Sequence, residues 1–197
     1  MKKMNKKGFT LIELLAVIII LGVLLLIAVP SVSKYIQQSR MKTYNNNLSN
    51  FVSAVTNEVN AMDYSSPYSF RSDEVLIVAF NKIDIERGSN EKSPFSYYDQ
   101  KYSYVLVTRK YEVTTDDNGT EDDTSDDKKA YTPVGYNYYV QALDESGYGA
   151  KLAKAGETTI DAVTGLTEIP ENGSTWSAPS HLNLDLPSSV TKVRVIK

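Results

Sequence analysis

The chain has 197 residues, 23% of them charged, a formal net charge of −3, no cysteine and a single histidine, His181. This length suits one domain or a domain with an extension. The lack of cysteine excludes a disulfide framework, a thiolate nucleophile and Cys-type zinc sites, and one histidine excludes a two-histidine metal centre. The hydrophobic fraction of 42% is ordinary, yet the apolar residues crowd into one early segment.

Lys2, Lys3, Lys6 and Lys7 form a basic leader with no acid, and the run Phe9 to Pro30 follows with one ionisable side chain, Glu13. Roughly 20 apolar residues span a hydrocarbon core of about 30 Å, so this run is long enough to cross. The positive-inside rule keeps the lysines in the cytoplasm and puts residues 31–197 outside. Gly22 is tolerated in a membrane helix, whereas Pro30 removes a backbone donor and is expected to kink or loosen the helix.

Ser31-Val32-Ser33 is a small-x-small site just past the apolar stretch, so an ordinary secretory signal peptide is the competing reading. Glu13 argues against it. A carboxylate deep in an apolar stretch costs about 2.5 to 3.5 kcal/mol on insertion scales and calls for a positive partner. A cut after Gly8 would create one, the new α-amino group of Phe9, four residues from Glu13. A neighbouring helix shifted along its axis would bring its own N-terminus beside this Glu13.

Lys6-Lys7-Gly8-Phe9-Thr10-Leu11-Ile12-Glu13-Leu14, with the apolar run closing at Pro30, resembles the class III signal of type IV pilins and pseudopilins. The likeness is strong over the first thirty or so residues and weak over the helix that follows. It implies cleavage between Gly8 and Phe9 by a prepilin peptidase that also methylates the new amino group of Phe9. It further implies that Glu13 is the family's assembly glutamate and Pro30 its helix-disrupting proline. The protein so implied is a structural subunit and not an enzyme, with no cofactor. Its partners would be the prepilin peptidase and methylase, the lipid bilayer before assembly, a membrane assembly platform, and other pilin subunits in a helical homo- or hetero-filament. The motif does not choose between a cell-surface pilus or fimbrium used in adhesion, a type II secretion pseudopilus and a DNA-uptake filament, nor between major and minor subunit.

Beyond Ser31, Tyr44, Leu48, Phe51, Val52, Val55, Val59 and Met62 recur at steps of three and four, which predicts an amphipathic helix with one apolar stripe packed on the chain's own sheet. Joined to the membrane segment it makes one helix from Phe9 to about Met62, roughly 80 Å at 1.5 Å per residue. Tyr64 to Phe70 reads as the turn that ends it. The resulting division is 1–8 leader, 9–30 transmembrane and filament-core helix, 31–63 amphipathic half and 64–197 extracellular head.

Ser72-Asp73-Glu74 followed by Val75 to Phe80 reads either as a short capped helix or as a buried strand, because periodicity cannot arbitrate so short a run. Family members of this length often place a helix here, and a helix is the expectation adopted. Tyr102 to Val107, Tyr111 to Val113, Tyr136 to Leu143 and Val190 to Ile196 have strand composition. Short polar loops between successive strands predict an antiparallel sheet. The expected fold is therefore α+β, a long N-terminal helix packed on an antiparallel head.

Ten of the 14 tyrosines fall between Tyr97 and Tyr148 and read as strand formers with hydroxyls in water, rather than as a glycan-binding patch. Trp176, in a Gly/Pro/Ser-rich segment, is expected to pin that loop to the sheet. Asp116, Asp117, Glu121, Asp122, Asp123, Asp126 and Asp127 place seven carboxylates in twelve residues. Clustered oxygens suit calcium, but Glu121 and Asp127 stand where an EF-hand needs glycine and glutamate. A solvated hairpin tip is the preferred reading and a calcium site the alternative. Asn118-Gly119-Thr120 and Asn172-Gly173-Ser174 match the glycosylation sequon, though a turn explains both. His181 reads as a surface-loop residue with no nameable partner. Losing the four leader lysines takes the formal net charge from −3 to −7, which disfavours direct contact with nucleic acid.

Overall fold

A computed structural model describes residues 8–63, 65–116, 128–182 and 184–197. It divides into two compact units, 1–42 and 43–197. Helix α1 is Leu11–Asn60, 50 residues long, and it continues through Pro30. Around that proline, Ser31 Oγ donates to the Ile27 carbonyl at 3.3 Å and Ser33 Oγ to the Val29 carbonyl at 3.0 Å. Both are ordinary i to i−4 hydroxyl bonds, and neither goes to the Leu26 carbonyl, the acceptor that the proline leaves without its N–H.

The second unit is a six-stranded sheet with both faces covered. Its strands are β1 (Glu74–Ala79), β2 (Tyr104–Asp116), β3 (Lys128–Leu143), β4 (Tyr148–Lys154), β5 (Asp161–Ala162) and β6 (Lys192–Ile196), in the order β5-β4-β3-β2-β1-β6. The sheet is mostly antiparallel, as expected, with one exception: β6 runs parallel to β1, pairing Val75 with Val193 and Ile77 with Val195.

The expected helix at Val75 to Phe80 is instead strand β1, followed by a 3-10 turn at Phe80–Lys82. The cause is burial on two sides. Val75 and Ile77 join Tyr104, Leu106, Tyr139, Leu152 and Val193 on one face, while Leu76 and Val78 are buried on the other. A strand buried on both faces reads as a continuous apolar run, with no alternation to betray it. Tyr104 to Val107 and Tyr111 to Val113, from segments expected as separate strands, are parts of β2, with a bulge between Lys110 and Tyr111, while Tyr102 lies in the turn before it. β4 and β5 were not expected at all.

The stripe on α1 packs as anticipated. Tyr44, Leu48, Phe51, Val52, Val55 and Val59 are its buried residues, and Phe51 stacks on Phe80 with ring centroids 3.8 Å apart. Tyr98 meets Tyr44, Phe51 and Phe80 edge-on, an arrangement aromatic quadrupoles favour. The opposite face is covered by the C-terminal segment through Ile169, Trp176, Leu182, Leu184 and Leu186, so Trp176 is the loop anchor the sequence suggested.

Candidate assembly site at the N-terminus

Gly8, Phe9 and Thr10 lie just before α1, in non-helical conformation. Thr10 is the N-cap and Glu13 the third helical residue, the T-x-x-E spacing of a capping box. The Glu13 Oε2 atom accepts the Thr10 N–H and the Thr10 hydroxyl, each at 2.8 Å, and the Glu13 N–H donates to Thr10 Oγ1 at 3.4 Å. The acid whose sequence context marks it only as a costly charge therefore also satisfies two donors at a helix start. Thr10 was not singled out from the sequence, although the T-x-x-E signature stands in it.

Beyond the cap, the apolar side chains from Leu11 to Ile36 are all exposed within the chain, among them Leu26 at 76% and Ile27 at 70%. The helix is long and apolar enough to cross a membrane, and none of its apolar window is buried by the rest of the chain. So large an uncovered apolar surface requires lipid or protein around it.

The other candidate residues lie apart from this site. Asp116 closes β2, opposite Lys128, and Asp117, Glu121, Asp122, Asp123, Asp126 and Asp127 lie outside the described residues, as do Asn118, Lys2, Lys3, Lys6 and Lys7. Among the described residues no group of three or more His, Asp or Glu is placed to hold a metal. His181 does have a partner, the Leu152 carbonyl at 2.9 Å from Nε2. Asn172 Oδ1 accepts the Val195 N–H at 2.8 Å, so this side chain shields the outer edge of β6, a strand edge that would otherwise invite pairing. The clustered tyrosines are mixed in environment: Tyr98, Tyr104 and Tyr139 are buried, whereas Tyr97 is exposed.

The comparisons agree with the N-terminal geometry. Residues 3–29 match the prokaryotic N-terminal methylation motif. The chain is 51% identical over 39 residues to the ComG operon protein 3 homolog of Bacillus licheniformis and to the competence protein ComGC of Bacillus subtilis. Those residues make up 20% of this chain and 40% of each relative. No solved structure matches. The motif implies processing by a prepilin peptidase. The methylation motif therefore stands at the start of a long helix, apolar over its first half, whose far half packs on a mostly antiparallel sheet, an α+β arrangement like that of a pilin.

Proposed function

We propose that the chain is a subunit of a type IV pilus-like filament, cleaved between Gly8 and Phe9, methylated on Phe9 and assembled through residues 9–30. Residues 1–8 are the leader, 31–63 the amphipathic half of the helix and 64–197 the extracellular head. The reading is supported by one coincidence: the Gly8–Phe9 step, inside the matched methylation motif, falls in the short non-helical lead just before a helix of exposed apolar side chains. Before assembly that helix lies in the bilayer, with the N-terminus cytoplasmic and the head outside; an assembly platform then transfers it into a filament core. Glu13 pairs there with the Phe9 amine of a neighbouring copy, which sets axial register, while Pro30 gives the helix a place to adjust.

The names of the relatives support a competence filament in particular. The acidic chain itself is poorly suited to gripping DNA phosphates, so its part there is structural.

N-terminal sequencing and mass analysis of subunits from sheared filaments test the proposal. The expected mature chain begins with N-methylated Phe9. A chain beginning at Lys34 instead identifies a signal-peptide product and overturns the filament reading. Gly8→Val is expected to leave an uncleaved membrane precursor and, for a competence filament, to abolish transformation.

A further inference from the structure

On the head, the solvent side of α1 and the loop after the 3-10 turn enclose a cleft of about 540 Å³. Its floor is one face of the helix, built from the short side chains of Asn50, Ser53, Ala54 and Asn57 at steps of three and four. Its rim sets the exposed carboxylates of Glu58, Asp84 and Glu86 against one guanidinium, Arg87. None of Glu58, Asp84 and Glu86 forms an ion pair among the described residues.

The complementary surface is on the same polypeptide, in the other unit. Between Glu13 and Glu58 the chain has no acid at all, but it has Lys34, Arg40 and Lys42. Lys34, Gln38 and Lys42 stand at i, i+4 and i+8 on one side of α1, and all three are exposed. Neither lysine forms an ion pair among the described residues. A basic helical stripe and an acidic, shallow-floored cleft fit a helix-on-helix contact: small floor residues let the two helices approach, and the lysines reach the rim carboxylates.

Resting on the filament reading, we propose that the Glu58/Asp84/Glu86 cleft of one subunit receives the Lys34–Gln38–Lys42 stripe of a second copy. The contact would lie beyond the apolar core. Ion pairs give orientation and partner choice more than raw affinity, because like charges brought together cost several kcal/mol. Helices held only by aliphatic packing slide easily, and charged contacts fix how each subunit is rotated about its axis.

Charge reversal decides it. Lys34→Glu with Lys42→Glu, or Glu58→Lys with Glu86→Lys, is expected to lower the ratio of subunit in sheared filaments to subunit in membranes by about tenfold, the equivalent of about 1.4 kcal/mol. Carrying all four changes in one chain is expected to restore most of the loss. If wild-type chains form filaments and the fourfold variant does no better than either pair, the contact is overturned. Absence of filaments from wild-type chains would instead overturn the filament reading beneath it. Where reversed chains fail to reach the membrane, a second measurement decides: co-expression of Lys42→Cys and Asp84→Cys chains, with Lys42→Cys and Asp161→Cys as control. With no native cysteine, every disulfide joins introduced cysteines, and each variant expressed alone reports the dimers that do not span the pair. The expected result is a filament-dependent dimer for position 84 and none for the control; equal yields overturn the contact.

Discussion

The Glu13 carboxylate takes both the N–H and the hydroxyl of Thr10 at 2.8 Å, so the single acid of the apolar run is held by its own chain before any neighbour offers an amine. One oxygen, Oε2, accepts both bonds, which leaves Oε1 for a partner. Thr10 is thus a positioning residue for Glu13. Thr10→Val keeps the backbone donor but removes the hydroxyl, and N-cap losses of this kind cost about 1 kcal/mol. The expected outcome is intact cleavage and membrane insertion with several-fold lower filament incorporation, and Thr10→Ser close to wild type. The check is the filament-to-membrane ratio with processing measured separately.

Charge at Glu13 can be separated from its hydrogen bonding. Glu13→Gln keeps the size and can accept from Thr10, but it cannot answer the Phe9 amine of a neighbour. Membrane insertion is expected to be intact or improved, since a neutral side chain is easier to place in lipid, while incorporation into filaments falls. Glu13→Asp is expected to fall between, with the charge kept and the reach shortened by one methylene. Normal incorporation of fully cleaved Glu13→Gln would refute charge pairing.

The parts of this fold that were legible in the sequence are those where burial is one-sided. Tyr44, Leu48, Phe51, Val55 and Val59 repeat every three or four residues because one face of α1 is buried and the other is wet. Val75 to Ala79 carries no such contrast, being covered on both faces, and its strand could not be told from a helix. In β4, Gly149, Ala150, Ala153 and two lysines have low strand propensity, and the strand forms because β3 supplies its ladder. The parallel pairing of β6 with β1 depends on where the long C-terminal segment returns, which no local pattern records. At the proposed assembly site, Gly8, Phe9 and Glu13 stood out through the motif, whereas Thr10 needed the helix start to be located first.

Phe51 is the central contact between α1 and the head's core, fully buried and stacked on Phe80. Phe51→Ala removes a ring flanked by Phe80 and Tyr98, and large-to-small changes at such sites cost about 3 to 5 kcal/mol. The melting temperature is expected to fall by roughly 10 °C for a unit of this size. Differential scanning calorimetry of the full chain in detergent measures it; a fall of only a few degrees would place the helix–sheet packing elsewhere.

Gly149 is fixed by a close backbone approach. A Cβ built there would collide with the Ala142 carbonyl across the β3–β4 ladder and stand 3.0 Å from Leu143 Cα. Backbone cannot swing aside as a flexible side chain can, so Gly149→Ala is expected to destabilise the head by about 1 to 3 kcal/mol. Gly147→Ala differs, because its strain comes from a φ of 82° with open space around the added methyl. Amide hydrogen exchange separates the two: Gly149→Ala should lower protection along β3 and β4, while Gly147→Ala should act at the turn.

Alkaline pH should unfold the head through its buried phenols. Burial is the main cause that pushes Tyr98 up to about 12, with the hydrogen bond from Asn47 opposing it and Asp144 adding to it. Burial also raises Tyr44 and Tyr104. An unfolded tyrosine releases its proton near pH 10, so above that value the unfolded chain holds fewer protons than the native one and stability falls as pH rises. The stabilising contribution is complete below about pH 10 and is lost progressively as pH climbs towards about 12, at about 1.4 kcal/mol per pH unit for each such tyrosine. For Tyr98 alone this corresponds to about 3 to 6 °C of melting temperature per pH unit. Tyr98→Phe removes one titrating group but keeps the ring between Tyr44, Phe51 and Phe80. Its melting temperature should therefore decline less steeply than wild type between pH 10 and 12, whatever its value at neutral pH. Parallel declines in the two proteins would show that Tyr98 does not carry the alkaline transition.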